Sequence, residues 1–274
     1  MNSTVNAKIG IVGVGYLGGA VKYWFDSQKF DAFFYDKHKE IGSFQDLNKA
    51  EIIFICLPTP FIEKDNKGFD DSAILEVLPQ IRGEKIIVIR STVLPGSTEN
   101  YQKRFPRHKF LMNPEFLREK TAIQDYLNPE RQIVGYTKES KGVAQDILKI
   151  LPKAPFEKTI GAREAEMIKY FGNVFLANRV IFANQMYDIC SRLGMDYDSV
   201  KECVGADHRI GCSHFDVFCD GYRGYSGACL PKDTKALIQF VERLGVKPKL
   251  FKIIDEINNE LINGNNNQDK SEIA

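Results

Sequence analysis

The chain has 274 residues, and its 37 basic and 36 acidic side chains leave a formal net charge of +1. This balance gives no reason to expect nucleic acid or an acidic membrane surface as a partner. With 43% hydrophobic and 27% charged residues, the composition is that of a globular protein with room for two domains. No apolar run approaches the roughly 20 residues that cross a bilayer, and the first residues lack a secretion signal. We therefore expect a cytoplasmic protein.

The first half of the chain alternates short apolar segments with helical stretches. Strands are predicted at Lys8–Gly15, Phe30–Asp36, Glu51–Pro60, Lys85–Val93, Lys109–Phe116 and Arg131–Tyr136. Near-continuous apolar strands separated by helices are typical of a parallel sheet covered on both faces. The sequence therefore predicts an α/β domain over residues 1–158, with a Rossmann-type doubly wound parallel sheet.

The second half is predicted to be mostly helical over residues 159–262. The stretch from Ala162 to Leu193 contains no proline and places Ile168, Phe171, Phe175 and Ile181 on one broad face. At roughly 1.5 Å per residue this helix would be over 40 Å long, which is typical of a domain link or a subunit interface. We therefore predict a homodimer formed through this helix.

Three shorter helices and a polar tail complete the predicted chain. The helices are expected at Asp198–Val204, Lys232–Leu244 and Lys249–Leu261. Residues 263–274 are rich in asparagine and are expected to form a disordered tail.

A glycine-rich turn follows the first strand. Gly13, Val14, Gly15, Tyr16, Leu17 and Gly18 form a GxGxxG motif that opens a predicted helix. Such glycines allow a tight turn and close approach of a pyrophosphate to the helix N-terminus. Asp36 ends the second strand, where a carboxylate can bind ribose hydroxyls and repel a 2′-phosphate, so NAD is favoured over NADP. A turn without a ligand is the alternative, and Lys37 and Lys39 leave NADP open.

A cysteine lies at a predicted helix start in the run Gly221–Asp233, which reads GYRGYSGACLPKD. Pro231 suits a first helical turn, and a helix N-terminus favours thiolate at Cys229. Asp233 follows one turn later, so the run can supply a nucleophile and an acid/base group. A buried structural cysteine is the alternative. Cys212, His214 and Cys219 do not have a zinc-site spacing, and no metal site is predicted.

Four further segments carry a family resemblance. They are CLPTP (Cys56–Pro60), STVLPGST (Ser91–Thr98), NPEFLRE (Asn113–Glu119) and AEMIKYFGNVFLANRV (Ala165–Val180). In order with the GxGxxG and GACLPKD motifs, they resemble the UDP-glucose/GDP-mannose dehydrogenase family, most closely its UDP-glucose 6-dehydrogenase branch. The resemblance implies oxidation of the C6 alcohol of a nucleotide sugar to a carboxylate, as in UDP-glucose to UDP-glucuronate, with two NAD⁺ and no metal.

The resemblance also implies roles for individual residues. Cys229 would form a thiohemiacetal and then a thioester with the sugar, while Lys169 and Asn173 stabilise developing oxygen charge. Asp233 and Thr92 would position the hydrolytic water, and Glu115 resembles the family's acid/base carboxylate. The implied NAD-binding residues beyond the glycine-rich turn and Asp36 are Thr59, Ser91, Thr92, Glu119 and Lys232. The implied substrate-binding residues are Glu115, Phe116, Leu117, Lys169, Asn173, Arg209, Gly224 and Tyr225.

Arg209 lies in DHRIG (Asp207–Gly211), which matches a family motif whose arginine reaches the partner subunit's substrate. Two features depart from the family. Ser226 replaces a glycine ahead of Cys229, and serine resists positive φ. Only a short polar segment follows the last predicted helix, where the family continues into a nucleotide-gripping α/β domain. We expect either another chain to supply that surface or a more open site.

Two other functions remain open from the sequence. A β-hydroxyacid dehydrogenase would also join a Rossmann domain to a long helix with Lys and Asn one turn apart, but it needs no nucleophilic cysteine. A non-catalytic nucleotide-sugar-binding subunit is the alternative from a different class of protein.

Overall fold

The computed structural model describes residues 7–64, 67–219 and 221–271, without the side chains of residues 219 and 265–271. The chain divides into two compact units, of which the first ends at Lys169 and the second begins at Tyr170. The domain boundary predicted between residues 158 and 159 precedes the long helix, whereas the two units divide within it.

The strands of the first unit are short, and the central strands of its sheet are deeply buried. They are β1 Ile9–Val12, β2 Ala32–Tyr35, β3 Ile52–Ile55, β4 Phe61–Ile62, β5 Gly68–Phe69, β6 Ile86–Ile89, β7 Lys109–Met112, β8 Arg131–Tyr136 and β9 Phe156–Gly161. In β3, Ile52 and Phe54 pack into one core and Ile53 and Ile55 into another, on the opposite face of the sheet. This alternation follows from the two-residue period of a strand, and it explains why the central strands are apolar throughout.

Seven of these strands form one sheet in the order β2-β1-β3-β6-β7-β8-β9. All neighbouring pairs are parallel except β7 and β8, which are antiparallel. The predicted Rossmann-type doubly wound fold is confirmed, and its largely parallel sheet contains one antiparallel pair. The edge strand β9 was not predicted, because its sequence FEKTIG mixes charged and apolar residues and is only partly buried.

The chain leaves β1 for the edge strand β2 and returns to β3 on the other side of β1. This reversal of strand order creates the crevice in which doubly wound folds bind ligands, at the carboxyl ends of the strands. The helices of this unit are α1 Tyr16–Ser27, α2 Phe44–Leu47, α3 Ser72–Val77, α4 Ser97–Arg104, α5 Ala122–Leu127 and α6 Ala144–Ile150.

The long helix α7, Ala162–Arg192, confirms the predicted continuous helix and has 31 residues. The second unit continues with α8 Tyr197–Gly205, the hairpin strands β10 Phe218–Cys219 and β11 Tyr222–Arg223, α9 Leu230–Arg243 and α10 Lys249–Ser271. Its core joins Ala177 and Ile181 of α7 to Tyr225 and to Ile254 of α10.

The helix α10 extends beyond its predicted end at Leu261, into the segment that the sequence assigns to a disordered tail. Asparagine is a weak helix former, so the composition predicted that the helix ends earlier than it does. Residues 272–274, the last of the predicted tail, lie outside the described residues.

Candidate functional site

The glycine-rich turn joins β1 directly to α1. Gly13 has φ +84°, and a Cβ there would lie 2.6 Å from the carbonyl oxygen of Cys56. A Cβ on Gly18 would lie 1.8 Å from the Gly13 carbonyl oxygen, whereas one on Gly15 would meet no atom within 4 Å. Gly13 and Gly18 are thus required by packing, and Gly15 leaves the N-terminus of α1 open. That opening fits a pyrophosphate bound by the first amides of the helix.

Asp36 follows β2 and is tied to this turn. Its Oδ2 accepts a hydrogen bond from the Val14 amide at 2.7 Å, and its Oδ1 accepts from the amides of His38 and Lys39 at 3.0 Å each. Burial alone would raise the pKa of Asp36, but these amides together lower it, so the carboxylate is charged at neutral pH. The charge fits recognition of ribose hydroxyls and disfavours a 2′-phosphate.

The two lysines that kept NADP open have other partners. Lys39 Nζ donates to the Val14 carbonyl at 2.6 Å, and Lys37 Nζ pairs with Glu76 Oε1 at 2.6 Å. Both lysines are exposed.

A cavity of about 530 Å³ lies beside the start of α1. Gly15, Tyr16 and Glu119 are among its lining residues, so the structure brings Glu119 to the glycine-rich turn. A volume of this size falls in the range of ordinary small-molecule sites.

The loop between β6 and α4 carries two further predicted residues, Ser91 and Thr92. Thr59 Oγ1 donates to the Thr92 carbonyl at 2.6 Å, and the Ser91 amide donates to the Ile55 carbonyl at 3.2 Å. Thr59, Ser91 and Thr92 are all buried. The structure therefore gathers these three residues at the carboxyl ends of β3 and β6.

Glu115 and Lys169 form a buried ion pair within the first unit. Lys169 Nζ lies 2.6 Å from Glu115 Oε1, and the two side chains are 5% and 4% exposed. Burial would raise the pKa of Glu115, but the Lys169 ammonium, the Leu117 amide and Arg90 together lower it. Phe116, between Glu115 and Leu117, stacks under the Arg131 guanidinium at 3.9 Å.

Arg90 is a buried residue that the sequence analysis missed. Its guanidinium hydrogen-bonds Asn113 and lies 4.9 Å from the Tyr126 ring, while its Nε has no hydrogen-bond partner among the described residues. The sequence does offer one indication of this residue, because a charged side chain directly follows the apolar strand IIVI. Its positive charge helps keep Glu115 ionised.

Cys229 is the N-cap residue of α9 and is half-buried, with Pro231 in the first turn of the helix. The Asp233 amide donates to the Cys229 carbonyl at 3.0 Å. The buried Asp233 carboxylate accepts hydrogen bonds from Asn173 Nδ2 and from Lys232 Nζ, each at 2.5 Å. The second unit thus brings Asn173, Lys232 and Asp233 together at the first turn of the helix that Cys229 caps.

Gly224 and Tyr225 precede Cys229 and are fixed by one side chain. Asn258 Oδ1 accepts from the Tyr225 amide at 2.7 Å, and Asn258 Nδ2 donates to the Tyr225 carbonyl at 2.9 Å. Gly224 has φ +87°, and a Cβ there would lie 2.7 Å from Asn258 Oδ1. Ser226 does not need a positive φ, because the positive φ values beside it fall on Gly224 and Gly227.

Arg209 is held within its own loop. It donates to Asp207 from Nε and Nη2, at 3.0 and 2.6 Å, and its side chain is 78% exposed. The structure therefore does not bring Arg209 to the other predicted residues of the second unit. The described residues hold no cluster of three or more metal-binding side chains, and none of their helices is long and apolar enough to span a membrane.

The switch-point crevice, the open helix N-terminus and the charged Asp36 define a Rossmann-type dinucleotide-binding protein. Family models agree with this class. Residues 42–151 match the NAD binding domain of the UDP-glucose/GDP-mannose dehydrogenase family, and residues 163–260 match its central domain. The chain belongs to the UDP-glucose/GDP-mannose dehydrogenase family, and its cofactor is NAD.

Curated relatives are similar in sequence. The chain is 35% identical over 223 residues to a UDP-glucose 6-dehydrogenase of Rickettsia conorii, covering 78% of this chain and 50% of that protein. It is 35% identical over 221 residues to UDP-glucose 6-dehydrogenase TuaD of Bacillus subtilis, covering 77% of this chain and 47% of that protein. The chain thus spans about half the length of the curated relatives it matches.

Solved structures share the fold. A UDP-glucose dehydrogenase from Pyrobaculum islandicum superposes with a TM-score of 0.84 at 27% identity, covering 95% of this chain and 69% of that one. A GDP-mannose dehydrogenase from Pseudomonas aeruginosa superposes with a TM-score of 0.65 at 26% identity, covering 92% and 68%.

Proposed function

We propose that this chain carries out NAD-dependent oxidation of the C6 alcohol of a nucleotide sugar, with UDP-glucose as the first candidate substrate. The observation that carries the proposal is Cys229 at the N-cap of α9, with the buried Asp233 one turn further on. The names of the curated relatives support UDP-glucose as the candidate. A dehydrogenase without covalent catalysis would not need a thiol at a helix N-terminus.

The first unit supplies the residues proposed to hold the cofactor. The turn Gly13–Gly18 would bind the pyrophosphate, and Asp36 the adenosine ribose. Thr59, Ser91, Thr92 and Glu119 of the first unit and Lys232 of the second would complete the binding set. When bound, NAD⁺ accepts a hydride in each of the two oxidation steps.

Cys229 is proposed to hold the sugar between those steps. Loss of a hydride and a proton from the C6 alcohol gives an aldehyde. The thiolate attacks the aldehyde carbon, and protonation of the resulting alkoxide gives a thiohemiacetal. Loss of a second hydride and the hydroxyl proton leaves a thioester. Water then adds to the carbonyl carbon, the carbon–sulfur bond breaks, and a carboxylate, the thiolate and two protons are released.

The polar groups around these steps have distinct proposed roles. Lys169 and Asn173 lie one turn apart on α7 and would stabilise negative charge on the C6 oxygen. Asp233 and Thr92 would position the hydrolytic water, and Glu115 would exchange protons. Because Lys169 holds Glu115 in its charged form, Glu115 is suited to accept a proton first.

Substrate positioning is proposed for Phe116, Leu117, Arg209, Gly224 and Tyr225, together with Glu115, Lys169 and Asn173. Arg209 is paired with Asp207 within its loop, so it must exchange that carboxylate for a substrate phosphate to take this role.

A homodimer through α7 is also proposed. Three aromatic residues of this helix, Phe171, Phe175 and Phe182, are 71%, 52% and 55% exposed. Exposed aromatic side chains on one helix are typical of a protein interface. Sedimentation at micromolar concentration should give the dimer mass, and a monomer with full activity would contradict the proposal.

The test of the proposed reaction compares Cys229→Ser with Cys203→Ser, which changes an exposed free thiol in α8. NADH formation would be followed with UDP-glucose, UDP-N-acetyl-sugars and GDP-mannose. Cys229→Ser should lower kcat by several powers of ten and leave NAD⁺ affinity unchanged, whereas Cys203→Ser should match the unmodified protein. NAD⁺ and sugar binding without any turnover would make the chain a binding subunit and contradict the proposal.

A further inference from the structure

Glu166 is a buried carboxyl group with no part in the reaction proposed above. It lies on α7, three residues before Lys169, and its side chain is fully buried. Both of its oxygens accept hydrogen bonds from backbone amides within the first unit. Oε2 accepts from Gly96 at 2.5 Å, and Oε1 accepts from Thr98 at 2.7 Å.

Those amides belong to the start of α4, where Gly96 is the N-cap residue and has φ +98°. Gly96 is the last residue of the β6–α4 loop, residues 91–96, which also carries Ser91 and Thr92. The other end of the loop is held by Thr59, whose hydroxyl donates to the Thr92 carbonyl. The loop is thus fastened at one end to the segment after β3 and at the other end to α7.

We propose that Glu166 is a positioning residue, which fixes the β6–α4 loop to the first turns of α7 and so sets Ser91 and Thr92 for the cofactor. The inference rests on the proposed function, because the roles of Ser91 and Thr92 come from it. Lys169 lies on the turn of α7 that follows Glu166. The two hydrogen bonds of Glu166, here called the clamp, therefore also fix the position of the loop relative to the Glu115–Lys169 ion pair.

The geometry of the position supports a carboxyl group whose two oxygens each accept from one amide. Burial raises the pKa of Glu166 to about 7, against the opposing effect of Thr98 and the Gly96 amide. The ionised carboxyl group therefore costs folding free energy at this position. An apolar side chain of similar size would fill the space without that cost. Glutamine has nearly the same shape but only one acceptor oxygen, so one amide would face the side-chain NH₂ group and lose its partner.

The first measurement is amide hydrogen exchange, read at Gly96 and Thr98. The variants are Glu166→Gln and, as a matched control, Glu164→Gln on the exposed side of the same helix. Loss of one such hydrogen bond should speed exchange at these amides about tenfold in Glu166→Gln. Exchange in Glu164→Gln should equal that of the unmodified protein. Unchanged exchange in Glu166→Gln would overturn the clamp.

The second measurement is NAD⁺ affinity by calorimetric titration, well below the unfolding temperature of each variant. Glu166→Gln should raise the Kd for NAD⁺ about tenfold, since small misplacements of binding groups are costly. Glu164→Gln should leave it unchanged. Faster exchange with unchanged NAD⁺ affinity would show a purely structural role and overturn the proposal.

If Glu166→Gln does not fold, Glu166→Asp keeps the charge and is shorter by one methylene, and the same two measurements decide. A weaker effect in the same direction is expected, and the absence of any effect would overturn the proposal. The titration needs no sugar oxidation. Absence of turnover in the unmodified protein would therefore defeat the proposed function while leaving this inference decided by NAD⁺ binding.

Discussion

The two units position their predicted site residues in different ways. In the first unit, Asp36, Thr59 and Ser91 lie at strand ends and are held by hydrogen bonds to backbone groups. In the second unit, Asp233 is held by the side chains of Asn173 and Lys232, from two helices. Strand ends are fixed by the sheet itself, whereas a pair of helices fixes a side chain only through its packing. Substitutions should therefore have different consequences in the two units.

The largest effect on stability is expected from Lys169→Met in the first unit. It removes the ion-pair partner of the buried Glu115 and leaves its carboxylate with only the Leu117 amide and the charge of Arg90. Breaking a buried ion pair in this way costs about 3–5 kcal/mol. Urea unfolding at pH 7 should show this loss, and the double variant Lys169→Met/Glu115→Gln should recover a large part of it. A single variant as stable as the unmodified protein would contradict the buried pair.

In the second unit, Asn173→Leu should have a smaller effect on stability. Asp233 loses the Asn173 amide but keeps its ion pair with Lys232. The loss of one hydrogen bond to a charged group is expected to cost about 1.5–3 kcal/mol. The same urea titration measures it. A loss larger than that of Lys169→Met would reverse the ranking of the two units.

Asp36→Ala should act on the cofactor rather than on the fold. The charged carboxylate binds the glycine-rich turn through Val14 and is the group that would recognise the ribose. We expect NAD⁺ affinity to fall about tenfold to a hundredfold, because one or two hydrogen bonds to a charged group would be lost. Sugar-nucleotide affinity should stay unchanged. Equal preference of the unmodified protein for NAD⁺ and NADP⁺ would contradict the role of Asp36.

The smallest effect is a pH dependence with opposite signs at two carboxyl groups of the first unit. The lowered pKa of Glu115 gives a stabilisation that is present above its unfolded-state pKa and is lost as the pH falls through the folded-state pKa. Glu166, whose pKa is raised to about 7, contributes most to stability below its unfolded-state pKa of 4.5, and this contribution is lost as the pH rises through about 7.

Thermal unfolding can separate the two groups. The Tm advantage of the unmodified protein over Glu166→Gln should shrink between about pH 5.5 and pH 8.5, a range in which Glu115 stays ionised. Glu99 adds a like charge beside Glu166 and should be kept in both proteins. An advantage that grows with pH would contradict the raised pKa of Glu166.

For the first unit, the sequence predicted the strands and the cofactor motif but not the strand pairing or the buried charges. The GxGxxG turn, Asp36 and the central strands follow local rules of period and turn chemistry, so they could be read without a structure. The antiparallel pairing of β7 with β8 could not be predicted, because the pairing of strands depends on the whole sheet. Arg90 and Glu166 were missed because burial of a charge is decided by tertiary packing, which no local pattern reports.

The long helix, which both units share, and the helix start after Cys229 in the second unit were predicted from proline placement and period. The two hydrogen bonds from the Asn258 side chain to the Tyr225 backbone were not predicted, because the two residues lie far apart in sequence. The C-terminal extent of α10 was missed for a different reason, since its asparagine-rich composition argues against a helix.

The proposed covalent mechanism is tested most directly by the NADH yield per sugar. A limiting amount of UDP-glucose is consumed with excess NAD⁺, and the NADH formed and any free aldehyde are both measured. Because the thiohemiacetal and thioester would stay on Cys229 between the two oxidations, we expect two NADH per sugar and no released aldehyde. One NADH per sugar, with the aldehyde free in solution, would contradict the account.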